Sequence, residues 1–156
     1  MPPIKATNIT NRVLYKNSHG TYRMFSTTKT NYCDAGKYLG KIRFSPKQDT
    51  LYISTLKSQL PEHKEARVGT SLINFAKKMS KKLGLKGNLD VVAYNSQYKG
   101  TDPHKFYRKM GFTTNKKELD EMLDFCINYK VDIPPFYKQG LYMYYRPNQV
   151  RECKKI

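Results

Sequence analysis

Residues 51–94 read LYISTLKSQLPEHKEARVGTSLINFAKKMSKKLGLKGNLDVVAY. Leu51 to Ser58 carries Leu51, Ile53 and Leu56 among polar neighbours, the pattern of a strand, and Pro61 breaks it. From Arg67 to Leu83 the apolar residues Val68, Leu72, Phe75, Ala76, Met79 and Leu83 recur at three- and four-residue intervals. That spacing predicts a helix, with Lys77, Lys78, Lys81 and Lys82 on its other face. Gly84 and Gly87 close the helix, and Leu89 to Tyr94 is a short β-branched run of the kind buried in a sheet. Strand, helix and strand in this order predict a right-handed parallel crossover.

On the N-terminal side, Tyr38 to Phe44 forms a hairpin with Leu51 to Ser58 across the turn formers Pro46-Lys47-Gln48-Asp49. Leu39, Ile42 and Phe44 are expected to face Leu51, Ile53 and Leu56 at the centre of a sheet. Arg12 to Thr28, with Val13, Tyr15, Tyr22, Met24 and Phe25 around Ser18-His19-Gly20, reads as an earlier hairpin. On the C-terminal side, Asp102-Pro103 opens a second helix with Phe106, Tyr107 and Met110 facing inward; Gly111 stops it and Phe112 begins a strand. Lys116 to Tyr129 predicts a third helix through Leu119, Met122, Leu123 and Phe125. Pro134-Pro135 interrupts, Gly140 to Tyr145 is a last strand, and Arg146, Arg151, Lys154 and Lys155 form a basic tail.

The 156 residues give one domain with a real core, too short for a multidomain machine and too rich in Phe and Tyr for a disordered basic tail. No stretch approaches the roughly 18 apolar residues of a membrane span. Met1 to Thr10 lacks the apolar run of a secretory signal, so the expectation is a soluble cytoplasmic protein without a membrane partner. Cys33, Cys126 and Cys153 lack the spacing of a zinc site and read as reduced structural thiols, with no metal expected. The 29 Lys and Arg against 12 Asp and Glu leave +17, a field that attracts nucleic acid, anionic cofactors or acidic proteins. The same lysines could equally do no more than solvate a surface.

The predicted helix is entered through Val68-Gly69-Thr70-Ser71-Leu72, small residues that leave backbone N–H groups accessible to an anion. Gly69 taken alone fits close helix-to-sheet packing as well. Asn95 follows the second strand of the crossover, and Phe106-Tyr107-Arg108-Lys109-Met110-Gly111-Phe112 ends the next helix. With Pro61 ahead of Lys64-Glu65-Ala66-Arg67-Val68-Gly69, these segments together resemble the GNAT superfamily of acetyl-CoA-dependent N-acetyltransferases. The resemblance runs from about Tyr38 to Tyr145. Two positions depart from the family's pattern: Lys64 stands where Arg or Gln is usual, and Arg67 replaces the first glycine.

The resemblance implies an α/β (α+β) GNAT fold: a mixed, mostly antiparallel central sheet with a parallel, splayed pair of strands, the family's fourth and fifth, flanked by helices. It makes residues 1–156 a single domain whose motif-bearing core spans about 38–145, with a basic tail over 146–156. Backbone groups at Leu56, Ser58 and Gln59 would pair with the pantetheine arm of acetyl-CoA instead of with the strand of Asn95. Lys64, Arg67, Val68, Gly69, Thr70 and Ser71 would receive the diphosphate, and Tyr107 would protonate the leaving thiolate as an amine attacks. A tyrosine there could instead simply pack on the sheet.

The family's frequent glutamate base is missing from the strand before Pro61, which leaves Glu62, His63 and His104 to be considered, His104 reading as solvent-exposed. The positive field disfavours basic acceptors and points to an amine on a neutral or anionic small molecule, an acidic protein or aminoacyl-RNA. Two other readings stay open. One is a nucleic-acid-binding module using Lys77, Lys78, Lys81, Lys82 and Lys86; the other is a CoA-binding scaffold without turnover.

Overall fold

The computed structural model describes residues 5–94, 103–138 and 140–148. In chain order these form β1 (Lys5–Ile9), β2 (Arg12–Lys16), β3 (Thr21–Ser26), β4 (Tyr38–Lys47), β5 (Thr50–Ser58), α1 (Val68–Lys82), β6 (Leu89–Ala93), α2 (Pro103–Lys109), α3 (Lys117–Tyr129) and β7 (Leu141–Tyr145). Short 3-10 turns lie at Lys64–Ala66 and Pro135–Lys138. The strands are hydrogen-bonded in the order β1-β2-β3-β4-β5-β6-β7. The chain divides into two compact units, one of residues 1–45 with 53–76 and the other of residues 46–52 with 77–156. Among the described residues, no helix is long and apolar enough to cross a membrane.

In the first unit, β1 to β4 form an antiparallel meander. The Asn17 side chain sets the β2–β3 turn by accepting from the His19 and Thr21 N–H groups at 2.9 and 3.0 Å. Leu14, Met24 and Ile42 are fully buried, together with Leu72 and Ile73 of α1. The Tyr22 ring meets Phe75 of α1 edge-on at 4.8 Å and stacks on Phe44 at 5.3 Å.

A bulge interrupts the β3–β4 register: Met24 opposes Gly40 and Phe25 opposes Tyr38, leaving Leu39 as the extra residue. In a regular strand Leu39 would face away from Ile42 and Phe44; the extra residue returns it to their side, and it is buried with Ile42 as expected. β4 also runs through Pro46 to Lys47, so the turn shrinks to Gln48-Asp49, with Gln48 left-handed at φ 58°. Gly40 lets α1 approach the sheet. A Cβ there would run into the Lys57 carbonyl and lie 2.9 Å from Val68 Cγ1.

In the second unit, the Leu51 N–H donates to the Asn88 carbonyl at 3.1 Å and Thr50 Oγ1 to Asp90 Oδ1 at 3.1 Å. β5 and β6 thus begin side by side and run in the same direction. β6 and β7 pair antiparallel, Val91 opposite Met143. α1 ends where Gly84, at φ 79°, turns the chain so that the Leu85 N–H returns to the Ser80 carbonyl at 2.8 Å. Ser80 Oγ donates to the Asn88 carbonyl at 2.8 Å, which fixes where β6 starts.

Several expectations for this unit are corrected. Leu83 is half exposed rather than in the core, because it follows the last residue of α1, Lys82, and enters the turn at Gly84. Lys77 leaves the solvated face: its Nζ donates to the Met110 carbonyl at 3.2 Å and lies 4.2 Å from the Tyr145 ring centre. Phe112 begins no strand, since only Thr113 bridges to Tyr144. On α3, Phe125 is 55% exposed and Cys126 takes the buried position beside Leu123. Arg146 is no tail residue, because its Nη2 pairs with the buried carboxylate of Asp90 at 2.6 Å and its Nη1 donates to the Leu89 carbonyl at 3.0 Å.

Candidate active site

The approach to α1 is built in three steps. β5 ends at Ser58, whose Oγ accepts from the Leu60 N–H at 3.1 Å, while the Gln59 N–H donates to the Leu39 carbonyl at 2.7 Å. The chain then winds through the 3-10 turn Lys64–Ala66 and stops at Arg67, which takes the left-handed conformation (φ 51°, ψ 44°). From there α1 starts. Arg67 thus adopts a backbone conformation that a glycine would hold without strain. The first helical return bond runs from the Ser71 N–H to the Arg67 carbonyl at 3.0 Å, so the N–H groups of Val68, Gly69 and Thr70 precede it.

Arg12, which sequence reading placed only in a hairpin, holds this turn together. Its Nη1 donates to Ser71 Oγ at 2.6 Å, and its Nη2 donates to the Ala66 carbonyl and to Tyr32 Oη, the latter at 3.4 Å. Ser71 therefore reaches the site with its amide and hydroxyl already engaged. A cavity of about 270 Å³ opens beside the guanidinium, lined by Arg12, Ser26, Thr30, Tyr32 and Arg67 among others. Leu56, Ser58, Gly69 and Thr70 are half-buried; Gln59, Lys64 and Arg67 are exposed, and Val68 is buried beneath Gly40. Asn95 lies outside the described residues, as does Cys153. Nothing in the local pattern signals Arg12 or Tyr32, because their partners are far away in the chain.

Of the residues considered as bases, Glu62 is exposed and His63 Nδ1 contacts Glu65 Oε1 at 3.0 Å. A backbone hydrogen bond and the His63 contact hold the Glu65 carboxyl below the ordinary range. His104 is buried at 1% exposure, which corrects the solvent-exposed reading, because α2 turns it inward with Tyr107. Among the described residues, no group of three His, Cys, Asp or Glu gathers to hold a metal. Cys33 and Cys126 are free thiols.

Tyr107 sits in the second unit on α2. Its ring lies 5.3 Å from the rings of both Phe106 and Phe112, and burial, with a smaller contribution from Tyr94, pushes its phenol above the ordinary value. The hydroxyl therefore stays protonated at neutral pH. α2 has only seven residues, and α3 braces it: Arg108 Nε and Nη2 reach the Asp124 carboxylate at 2.8 and 3.0 Å, a two-pronged ion pair. Asp120 in turn accepts from the Thr114 N–H at 2.9 Å, which fixes the segment after Gly111.

A mixed, mostly antiparallel sheet with a parallel strand pair bridged by a helix, and a short tyrosine-bearing helix before the last strand, is the GNAT acetyltransferase fold. Two solved structures share it. The PaiA N-acetyltransferase of Thermoplasma acidophilum, in complex with coenzyme A, matches 81% of this chain at 16% identity and a TM-score of 0.51. Nourseothricin acetyltransferase matches 91% of this chain and 82% of its own, at 17% identity and a TM-score of 0.50. The present chain spans 59% of the length of the PaiA chain. No family model matches the sequence, and no curated protein matches it.

Proposed function

We propose that the chain is an N-acetyltransferase that moves an acetyl group from acetyl-CoA to a primary amine by direct attack. The observation that carries this reading is the left-handed turn at Arg67, which delivers the Val68, Gly69 and Thr70 N–H groups at the start of a fifteen-residue helix. Main-chain donors and the helix dipole there suit a diphosphate. Lys64 and the Arg67 guanidinium, both exposed, add positive charge. Backbone at Leu56, Ser58 and Gln59 would take the pantetheine arm, and Asn95 is assigned to the same strand pair by resemblance.

In the reaction the amine nitrogen forms a bond to the thioester carbonyl carbon and the carbon–sulfur bond breaks. The thiolate receives the Tyr107 proton, and the new ammonium gives up its proton to solvent, from which the phenolate recovers its own. A phenol is a weaker acid than a thiol, so Tyr107 acts through a hydrogen bond that shifts to sulfur only as negative charge develops there. The excess of 29 basic over 12 acidic residues favours an amine on a neutral or anionic carrier, either a small molecule or an acidic protein.

The test is release of free thiol from acetyl-CoA against a panel of amines, with coenzyme A binding read separately by thermal shift. At 100 times its dissociation constant the ligand stabilises by about 2.7 kcal/mol. Absence of both thiol release and thermal shift at millimolar ligand would overturn the proposal. Binding without release would leave a scaffold.

A further inference from the structure

We infer that the sheet face of the first unit turned away from α1 binds single-stranded nucleic acid. Tyr22 and Phe44 touch Phe75 of α1, and Arg12 reaches Ser71, so these residues mark the face that the helix covers. The period of two then puts Tyr15, Arg23, Phe25 and Arg43 on the opposite face. The register aligns Tyr15 with Arg23 and Arg23 with Lys41 across three strands, while the bulge at Leu39 brings Tyr38 opposite Phe25. Phe25 lies 5.9 Å from the Tyr15 ring and 5.5 Å from the Tyr38 ring. Tyr15 is 40% exposed, Arg23 and Arg43 are exposed, and Lys41, Phe25 and Tyr38 are half-buried.

Two features make this more than a solvated surface. β2, β3 and β4 contain no Asp or Glu, so the cations of this face have no acidic partner in their own strands. Arg23 and Lys41 stand directly opposite each other, a like-charge cross-strand pair that destabilises a sheet unless an anion lies over it. Aromatic rings between such cations offer flat surfaces for unstacked bases, while the guanidinium and ammonium groups take phosphates. An acidic protein would satisfy the charges, whereas a single strand sets a flat base beside every phosphate and so matches rings and cations together. The second unit, considered by itself, pairs Tyr142 with Tyr144 at 4.9 Å and Arg146 with Tyr144 at 5.3 Å. There, however, Asp90 neutralises Arg146, so the first face is the stronger anion site.

The test is fluorescence anisotropy of the full chain, without coenzyme A, against fluorescein-labelled U12 RNA, dT12 and a twelve-base-pair duplex. Either single strand is expected to bind more tightly than the duplex. Tyr15→Leu should weaken binding about 5- to 150-fold, the range of one lost stacking contact, while Tyr15→Phe retains it. Arg23→Gln with Lys41→Gln should lower the salt slope by about 1.4, from about 0.7 per phosphate contact on a single strand. Lys78→Gln with Lys82→Gln on α1 serves as the control and should change binding less than either sheet variant. Circular dichroism checks that each variant folds. Equal affinity for the duplex, equally effective competition by polyglutamate, or dependence on Lys78 and Lys82 instead of the sheet residues would overturn the inference.

Discussion

The Arg12 guanidinium donates to Ser71 Oγ at 2.6 Å, linking the first residue of β2 to the first turn of α1 across 59 positions of sequence. Its second arm holds the Ala66 carbonyl, so one side chain fixes both the 3-10 turn and the helix that follows. Hydrogen bonds to a charged group contribute about 1.5–3 kcal/mol. Arg12→Leu is therefore expected to lower the unfolding free energy in urea by about that amount and to weaken coenzyme A binding. Ser71→Ala, which spares the Ala66 contact, should cost about 1 kcal/mol. A neutral Arg12→Leu would show that the turn stands without the guanidinium.

Arg67 holds φ 51° where an L side chain is strained by about 1–2 kcal/mol. Arg67→Gly relieves that strain but loosens the unfolded chain, so a net gain of up to about 1 kcal/mol is expected in urea denaturation. Arg67→Val, branched at Cβ, should instead lose at least about 1 kcal/mol. Equal stability of the two variants would contradict the left-handed assignment.

Gly40→Ala tests the closeness of α1 to the sheet. The added methyl would press on the Lys57 carbonyl and on Val68 Cγ1, and overpacking of this kind costs about 1–3 kcal/mol. For a chain of this length the melting temperature should fall by about 2–4 °C per kcal/mol. Combining it with Val68→Ala should cost less than the two single losses added together, because the second change vacates the space that the first invades.

The proposed role of Tyr107 as general acid predicts that Tyr107→Phe reduces turnover by about 10²- to 10⁴-fold, the usual contribution of such a group, and leaves coenzyme A binding in place. Its raised pKa also has a stability consequence. The unfolded phenol ionises near its ordinary value, about 10, whereas the folded one keeps its proton, so the native state binds more protons above that pH. Stability is intact below pH 10 and declines above it, by at most about 1.4 kcal/mol per pH unit from this group. Burial raises Tyr22 as well, so Tyr107→Phe should flatten the alkaline decline without abolishing it. A denaturation series from pH 8 to 11 checks both the sign and the residue.

The elements that could be read from the chain are those whose signals are local. The hairpin into Leu51–Ser58, the spacing of Val68, Leu72, Phe75 and Ala76, the run at Leu89 and the stop at Gly111 all reappear in the structure. What escaped depends on distant partners. Lys77 turns inward because the Met110 carbonyl and the Tyr145 ring await it, and His104 is buried by the placement of α2 rather than by its own polarity. Leu83 fits the helical period but sits within the closing turn from Ser80 to Leu85, just past the end of α1, and Phe125 gives up its expected burial to Cys126. At the site, the segment from Lys64 to Ser71 was legible as a helix entrance, whereas the clamp from Arg12 was not. β1 passed unnoticed because its residues, Lys5 to Ile9, show little apolar alternation.

The two-pronged grip of Arg108 on Asp124 leaves the helix of Tyr107 dependent on a neighbour for its rigidity, since seven residues cannot hold a helical conformation in water unaided. Fraying of α3 would loosen the phenol while the strands remained intact. Warming should then extinguish the proposed acetyl transfer several degrees before the sheet melts, because the seating of Tyr107 rests on this brace together with the rings of Phe106 and Phe112.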